Sequence, residues 1–576
     1  MWGIAGSFLV GLICVLPQIF FIFSLGSEYH GIHFFATPNE EVYLAIMQKI
    51  SEGHLLAASF PFYEYKNNLP LLPPTIPLLY VFVSRLLHIS LVNTLIVSKF
   101  FLPAILFFLV YLFTHQLLVF DTKNTRLSKL VAVTTGTLVT LGFDLVDYHS
   151  IWKILTGKFS ITGFLIWTRP VNPISGIILL YVFLLSLWML ITKRKKINIL
   201  IAAVTLAFMM ASYFFSWSIA LTIIGILGLR ALFSRDFKLA KYFGLVVILA
   251  LFFSSPYWFM VWRASHIPWY AEASARIGLF MTHTPHVNKF LFAVSIFFTF
   301  SSVIYYMRNK VYKSFPEWWW FCFSLLLSSF IVYNQQILTG REIWYYHYVF
   351  FTIPLGYTVI ILTLWYFVKP KKQLMYVIVI FLFVAAFSLG IYTQVSAYKT
   401  RFNFFASLQK FSPVFDFLNK SMFGNCVVLS IDSDGFWDEL IPAFTHCDTY
   451  ISGERTSVIA PPERFYHNYM VLLRLRGVTV EGIEDYLKLH HAEAEGYLYY
   501  QLQYTLGYHD VRLNSLLARL PNDYKIFLKN DFYQELKKYR VDYLLSDGPL
   551  MSSVVKSLPP LKKVFSAHNI DIFVFQ

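Results

Sequence analysis

Charged side chains are scarce in this chain of 576 residues. Asp, Glu, Lys and Arg together make up 14% of it, against roughly a quarter in ordinary soluble proteins. Hydrophobic residues make up 57%, and few soluble proteins could keep so much apolar surface from water. The composition excludes disorder, collagen and coiled coil as the main architecture, and it predicts a polytopic membrane protein.

Familiar catalytic signatures and a cysteine framework are also missing. The sequence contains no P-loop, no GxSxG elbow, no HExxH motif and no Rossmann glycine fingerprint. Of the four cysteines, Cys14 and Cys322 lie in apolar segments, whereas Cys426 and Cys447 lie in a polar region without CxxC spacing. For the second pair, a disulfide in an oxidising compartment and two free buried thiols are both open.

The net charge of +15 has a simple explanation in a membrane protein. Lys and Arg gather in short loops between apolar segments, where they fix the orientation of the spans. No basic stretch is interleaved with aromatic residues on a plausible soluble face, so nucleic acid is not expected as a partner.

Eleven apolar segments are long enough to cross a bilayer as helices. The first has no charged n-region before it, so we expect it to be retained as a helix rather than removed as a signal peptide. The segments are 3–25, 93–119, 130–146, 171–192, 197–212, 215–232, 242–260, 289–307, 317–336, 348–368 and 373–392.

The loops between these segments are of two alternating kinds. One kind is basic and is expected in the cytoplasm, and the other is longer, aromatic and sparsely basic and is expected outside. The basic loops are 123–129, 193–196, 235–241, 308–313 and 369–372, and the outer loops are 26–92, 144–170, 261–288 and 334–347. This pattern places the N-terminus in the cytoplasm.

Segment 71–88 is the exception that tests this scheme. It is apolar, but Pro73, Pro74 and Pro77 oppose a regular spanning helix. A crossing here would also reverse the side of every later loop. We therefore expect an interfacial or re-entrant helix within the first outer loop.

The composition becomes polar and mixed after about residue 393. Short apolar runs at 426–431, 541–545 and 570–575 predict strands, and 462–475 and 482–502 predict helices. The chain is thus expected to be an α-helical polytopic membrane module over 1–393, followed by an extracytoplasmic α/β domain over 394–576.

The first outer loop carries an acidic group, Asn39, Glu40 and Glu41, just before a helical pattern that includes Tyr43. Acidic residues suit the positive end of a helix, so ordinary capping is one interpretation. The functional interpretation is a carboxylate at the bilayer surface that acts as a general base or holds a divalent metal.

The second outer loop contains Asp144, Asp147 and His149, which either form a solvated loop mouth or supply a second acid or metal ligand that faces Glu40. Arg169 ends the same loop, where its guanidinium suits either lipid headgroups or a bound phosphate.

The polar segment 334–347 is the last candidate. Arg341 could pair with Glu342, or with the first loop, or grip a lipid-linked phosphate. Gln335 and His347 belong to the same patch, and His347 could share the charge of the phosphate.

These parts together resemble the GT-C superfamily, the polytopic glycosyltransferases that use polyprenyl-phosphate-linked sugars. The first-loop acidic motif leading into YLAIMQKISEG, the proline-rich helix after it and the segments RPVNP and NQQILTGRE carry the resemblance. In that family an Asp-Glu pair stands four and three residues before the tyrosine. Here those positions are Asn39 and Glu40, counted from Tyr43, so the usual catalytic Asp is an Asn, which cannot act as a base.

The resemblance implies inverting transfer of a hexose or pentose to a glycan, lipid or protein acceptor outside the cytoplasm, in a bacterial or archaeal plasma membrane. It implies Glu40 or Glu41 as the base, Glu40 with Asp147 for a metal such as Mg or Mn, and Arg341 or Arg169 at the leaving phosphate. A catalytically inactive scaffold that binds lipid-linked glycan and a transporter are the alternatives.

Overall fold

A computed structural model of the protein describes most of the chain. The described residues are 1–35, 37–57, 60–70, 72–120, 125–158, 160–308, 315–368, 372–421, 425–431, 437–452, 459–506, 511–550 and 558–576. The predicted basic loops 123–129, 308–313 and 369–372 therefore lie partly outside the described residues.

Helices dominate the chain up to residue 407, as the long apolar runs require. They are α1 (Trp2–Leu25), α2 (Glu40–Ser51), α3 (Thr75–Leu87), α4 (Leu91–Leu118), α5 (Arg126–Thr140), α6 (Tyr148–Leu155), α7 (Ile174–Lys193), α8 (Ile197–Met210), α9 (Phe214–Phe233), α10 (Phe237–Phe253), α11 (Ser255–Ser265), α12 (Tyr270–Arg276), α13 (Lys289–Arg308), α14 (Glu317–Tyr333), α15 (Gln335–Thr339), α16 (Val349–Val368) and α17 (Lys372–Ser407).

The chain is an integral membrane protein, and each of the eleven predicted spans overlaps at least one helix. The predicted span 242–260 is divided between α10 and α11, and 130–146 extends past the end of α5. Seven helices in the described residues are long and apolar enough to cross a bilayer, or eight if α10 and α11, bent by 58°, count as one. Helices α8 and α14 are apolar but shorter, and α5 has 15 residues. The number eleven therefore stays a prediction. The proline-rich segment forms helix α3 after its first two prolines.

Glycine allows α1 to approach α4 closely. A Cβ atom on Gly11 would lie 2.7 Å from the backbone oxygen of Phe100, so a larger residue would push the two helices apart. In lipid, two helices gain no hydrophobic free energy when they associate. Small residues stabilise such contacts because they let the helices pack closely.

The C-terminal part is a small α/β domain. Its helices are α18 (Ser412–Ser421), α19 (Trp437–Phe444), α20 (Pro462–Leu475), α21 (Ile483–Leu489), α22 (His491–Tyr499), α23 (Gln501–Leu506), α24 (Val511–Leu517), α25 (Leu520–Phe527) and α26 (Phe532–Leu536). Its strands are β1 (Val427–Ile431), β2 (Asp448–Thr449), β3 (Tyr543–Asp547), β4 (Leu561–Ala567) and β5 (Ile570–Phe575).

The five strands form one sheet in the order β2-β1-β3-β5-β4. Strand β1 is parallel to β2 and β3, whereas β5 is antiparallel to β3 and β4. The three predicted strands and helix 462–475 are confirmed, but 482–502 contains short helices instead of one. Helix α17 extends past residue 393, so the predicted domain boundary falls inside it.

Buried charges dock the C-terminal domain onto the first outer loop. The carboxylate of Asp448, in β2, forms ion pairs with the Nζ atoms of Lys49 of α2 at 3.1 Å and of Lys66 at 2.8 Å. All three side chains are buried. Cys426 and Cys447 form a disulfide beside this cluster, so the first of the two sequence alternatives is the one found. The domain thereby sits directly above the loops that carry the predicted site residues.

Candidate functional site

A cavity of about 850 Å³ lies between the predicted outer loops and the C-terminal domain. Its walls come from segments that are far apart in the chain: the start of α2, the prolines before α3, the turn between α8 and α9, helix α11, and two later loops. The polar residues that line it are Asn39, Tyr43, Arg169, Asn172, Ser212, Tyr213, Tyr257, Tyr270, Arg341, Tyr346, His347, Tyr500 and Gln503.

Arg169 is the buried cation of the cavity. The segment that carries it is fixed because the Trp167 indole donates a hydrogen bond to the Val139 carbonyl at 2.6 Å. One terminal nitrogen of Arg169 donates to the Tyr43 hydroxyl at 3.1 Å, and its side chain is 7% exposed. Its Nε atom has no hydrogen-bond partner in the part of the chain that the structure describes. A buried donor without a partner is costly unless a ligand accepts the bond.

Arg341 is the second cation, and it is exposed to the cavity. Its loop pairs with the 280–282 segment through backbone bonds, Thr282 to Gly340 at 2.9 Å and Glu342 to Phe280 at 2.8 Å. Gly340 has a φ of 68°, a conformation that glycine adopts without strain. The Arg341 guanidinium forms no ion pair with the described residues, so it is available to an anionic ligand.

The structure corrects the predicted partners of this loop. Glu342 is buried and pairs with His286 at 2.9 Å, so it pairs neither with Arg341 nor with the first loop. Gln335 donates to the Arg341 carbonyl at 2.7 Å and supports the loop without lining the cavity. His347 does line it, and its Nδ1 atom lies 2.7 Å from the Tyr213 hydroxyl.

Glu40 lies behind the cavity wall, not in the cavity. Its carboxylate pairs with Lys99 of α4, accepts a hydrogen bond from Thr37 at 2.6 Å and lies 3.4 Å from His33. Burial raises the pKa of Glu40, but the Lys99 charge and the His33 contact outweigh it, and the pKa falls to about 2. A carboxylate this acidic and fully paired is a poor base.

The expected roles of Glu40 and Glu41 therefore need correction. Glu41 is also buried and does not line the cavity. Neither Asp nor Glu is present among the described residues that line it. Asn39 takes the position at the cavity surface, in a left-handed backbone conformation with a φ of 58°.

The acidic group of the second loop does not reach the cavity either. Asp147 caps α6 by accepting a hydrogen bond from the Ser150 amide at 3.2 Å, and Asp144 and His149 are exposed. Among the described residues, neither Glu40 nor Asp147 belongs to a cluster of three or more metal-ligand groups; the one such cluster contains the disulfide cysteines with His446. The proposed Mg or Mn site has no support from this geometry.

Sequence reasoning missed the aromatic wall and the roof of the cavity. Phe214, Trp217 and Trp258 form part of the wall. The sequence gives no sign of this, because aromatic residues are common at membrane interfaces. Tyr500 and Gln503 of the C-terminal domain cover the cavity from above. No motif distinguishes them, and only the docking of the domain brings them there.

Comparison with known proteins gives matches to solved structures only. No family model matches the chain, and no curated protein matches it. ArnT from Cupriavidus metallidurans bound to undecaprenyl phosphate is similar over 98% of this chain and 97% of its own, with 9% identity and a TM-score of 0.47. The archaeal oligosaccharyltransferase AglB from Archaeoglobus fulgidus, in complex with an inhibitory peptide and a dolichol-phosphate, is similar over 95% of this chain and 69% of its own, with 13% identity and a TM-score of 0.44.

Identities this low and TM-scores below 0.5 decide neither the activity nor the substrate of this chain.

Proposed function

We propose that this chain is an integral-membrane glycosyltransferase, which moves a sugar from a polyprenyl-phosphate-linked donor to an acceptor outside the cytoplasm. The observation that carries the proposal is the buried Arg169 guanidinium, which lines a large cavity and whose Nε atom has no hydrogen-bond partner among the described residues. The exposed Arg341 in the same cavity adds a second positive charge.

The donor phosphate is the group that this pair of cations fits. A guanidinium presents a planar set of donors that matches phosphate oxygens, and hydrogen bonds between charged groups are the strong ones. In the transfer, the bond between the anomeric carbon and the phosphate oxygen breaks, and the phosphate leaves with the electron pair. Arg169 and Arg341 stabilise the charge that develops on that oxygen.

The sugar and the acceptor occupy the rest of the cavity. Its aromatic residues, among them Trp258 and Tyr346, offer flat surfaces for a sugar ring, and Asn39 and Asn172 offer amides for its hydroxyls. The acceptor oxygen attacks the anomeric carbon from the side opposite the phosphate as the bond to the phosphate oxygen breaks. The acceptor proton passes to water, since neither Asp nor Glu lines the cavity among the described residues. Hexose and pentose donors, and glycan, lipid and protein acceptors, all fit this description.

A catalytically inactive scaffold is the second candidate, and one observation favours it. The residue at the cavity surface is Asn39, and the nearest carboxylate in sequence, Glu40, is neutralised by Lys99. Such a protein would bind the lipid-linked glycan without transferring it.

The experiment measures binding and transfer separately. The full chain in lipid nanodiscs is titrated with undecaprenyl phosphate, and then incubated with a panel of lipid-phosphate-linked sugars. Arg169→Gln should weaken lipid-phosphate binding by roughly 10- to 100-fold, as expected for one lost charged hydrogen bond of about 1.5–3 kcal/mol.

Arg263→Gln is the matched control, because Arg263 is an exposed arginine of α11 that does not line the cavity. It should bind as the wild type does. Equal binding by wild type and Arg169→Gln would refute the proposed site. Binding without transfer from any donor would favour the scaffold.

A further inference from the structure

Lys99 is a charged residue in a membrane-spanning helix. It is the ninth residue of α4, which begins at Leu91, and thus lies about 12 Å along the helix. Its side chain is 1% exposed. Ionisable residues in such helices are costly, and they are kept where they have a partner and a function.

Its partner ties the membrane helix to the cavity. Lys99 forms an ion pair with Glu40, whose side chain is fully buried, and Glu40 is the first residue of α2. The residue before it is Asn39, and Tyr43 follows three residues after it. Both of these line the cavity. The ion pair therefore holds the end of α2 that forms the cavity wall.

The connection continues to the phosphate-binding cation. The Tyr43 hydroxyl accepts a hydrogen bond from Arg169 at 3.1 Å, and the Arg169 guanidinium lies 5.3 Å from the centre of the Tyr43 ring. A displacement of the start of α2 would move Tyr43 and with it the only hydroxyl that holds Arg169 among the described residues.

We infer that Lys99 is a positioning residue for the proposed site: through its ion pair with Glu40 it fixes Asn39 and Tyr43, and through Tyr43 it orients Arg169 toward the donor phosphate. The inference rests on the proposed function. It assigns Glu40 a role in positioning that replaces the role of a base.

The test compares neutral variants of the pair in lipid nanodiscs, with two readouts: the affinity for undecaprenyl phosphate and the melting temperature. Lys99→Met leaves the buried Glu40 carboxylate without its lysine partner, with only the Thr37 hydroxyl and the His33 ring beside it, so it should lower both. The double variant Glu40→Gln/Lys99→Met removes both charges and should recover the melting temperature. Its affinity should stay at least tenfold below that of the wild type, because the tether is still missing.

A merely structural pair would behave differently. If the double variant recovers its affinity together with its melting temperature, or if Lys99→Met binds as tightly as the wild type, the inference is overturned. The matched control is Arg194→Met, which removes one partner of a half-exposed ion pair with Asp236 between α7 and α10; its affinity should not change.

A further variant tests the route through the tyrosine. Tyr43→Phe keeps the buried ion pair but removes the hydroxyl that Arg169 contacts. When Glu40→Gln/Lys99→Met is combined with Tyr43→Phe, the further loss of affinity for undecaprenyl phosphate should be smaller than in the wild-type background. The reason is that both sets of changes act through Arg169. Full additivity would overturn the route. Absence of binding by the wild type would instead refute the proposed function itself.

Discussion

The buried carboxylate of Asp448 makes the strongest prediction about how the domains hold together. The ammonium groups of Lys49 and Lys66 lie 3.1 and 2.8 Å from its oxygens, and all three side chains are buried. Lys49 also donates to the carbonyls of His446 and Cys447, each at 3.0 Å. Within the described residues, Lys66 forms an ion pair with this carboxylate alone. Asp448→Asn therefore leaves the buried Lys66 ammonium without a carboxylate partner among the described residues, whereas Lys49 keeps the Glu52 carboxylate at 3.2 Å.

The expected cost is large on the scale of a domain contact. Removal of one partner of a buried ion pair costs about 3–5 kcal/mol. The Thr449 amide, which donates to the Pro61 carbonyl at 2.9 Å across the two parts, reports the opening of this contact. If the contact opens locally, the hydrogen exchange of the Thr449 amide should be roughly a hundredfold faster or more in Asp448→Asn than in the wild type.

Hydrogen–deuterium exchange of the protein in nanodiscs measures this rate. Asp571→Asn is the control, since Asp571 pairs with the half-exposed Lys563 and an exposed pair contributes about 0–1 kcal/mol. An Asp448→Asn variant whose Thr449 amide exchanges no faster than in the control would show that these charges do not hold the domains together.

Two further predictions concern the membrane part. The pKa of Glu40 is lowered to about 2, so its ion pair stabilises the protein above about pH 4.5 and loses this effect as the pH falls toward 2. The difference in melting temperature between wild type and Glu40→Gln should therefore be constant from pH 8 to 5. A decrease of this difference within that range would contradict the assignment. Gly11→Leu should separate α1 from α4 and lower the melting temperature by several degrees, whereas Gly244→Leu, where a Cβ meets no neighbouring atom, should leave it unchanged.

The helices were predictable because long apolar runs have few alternatives in a bilayer. The strand β4 was not, because Lys562 and Lys563 make its sequence look like a loop, and it forms only by pairing with β5. The division of 482–502 into short helices was not predictable either, because the sequence there predicts one helix.

The candidate site was half predictable. Arginine in an outer loop is a visible signal, and Arg169 and Arg341 do line one cavity; their roles stay predictions. The ion pair of Glu40 with Lys99 could not be predicted. Lys99 lies in a different segment, and nothing in the sequence distinguishes it from the other residues of a predicted span. Asp147 caps α6, whereas the sequence predicted either a solvated loop mouth or a second acid or metal ligand for it.

The roof of the cavity has a consequence for biosynthesis. Arg276, in an outer loop, donates to the carbonyls of Leu498 and Tyr497 at 3.0 and 3.1 Å, and this fastens the roof helices above residues that are synthesised hundreds of positions earlier. The cavity can therefore close only after residue 503 has been synthesised. A shorter nascent chain therefore has a cavity that these residues do not yet cover.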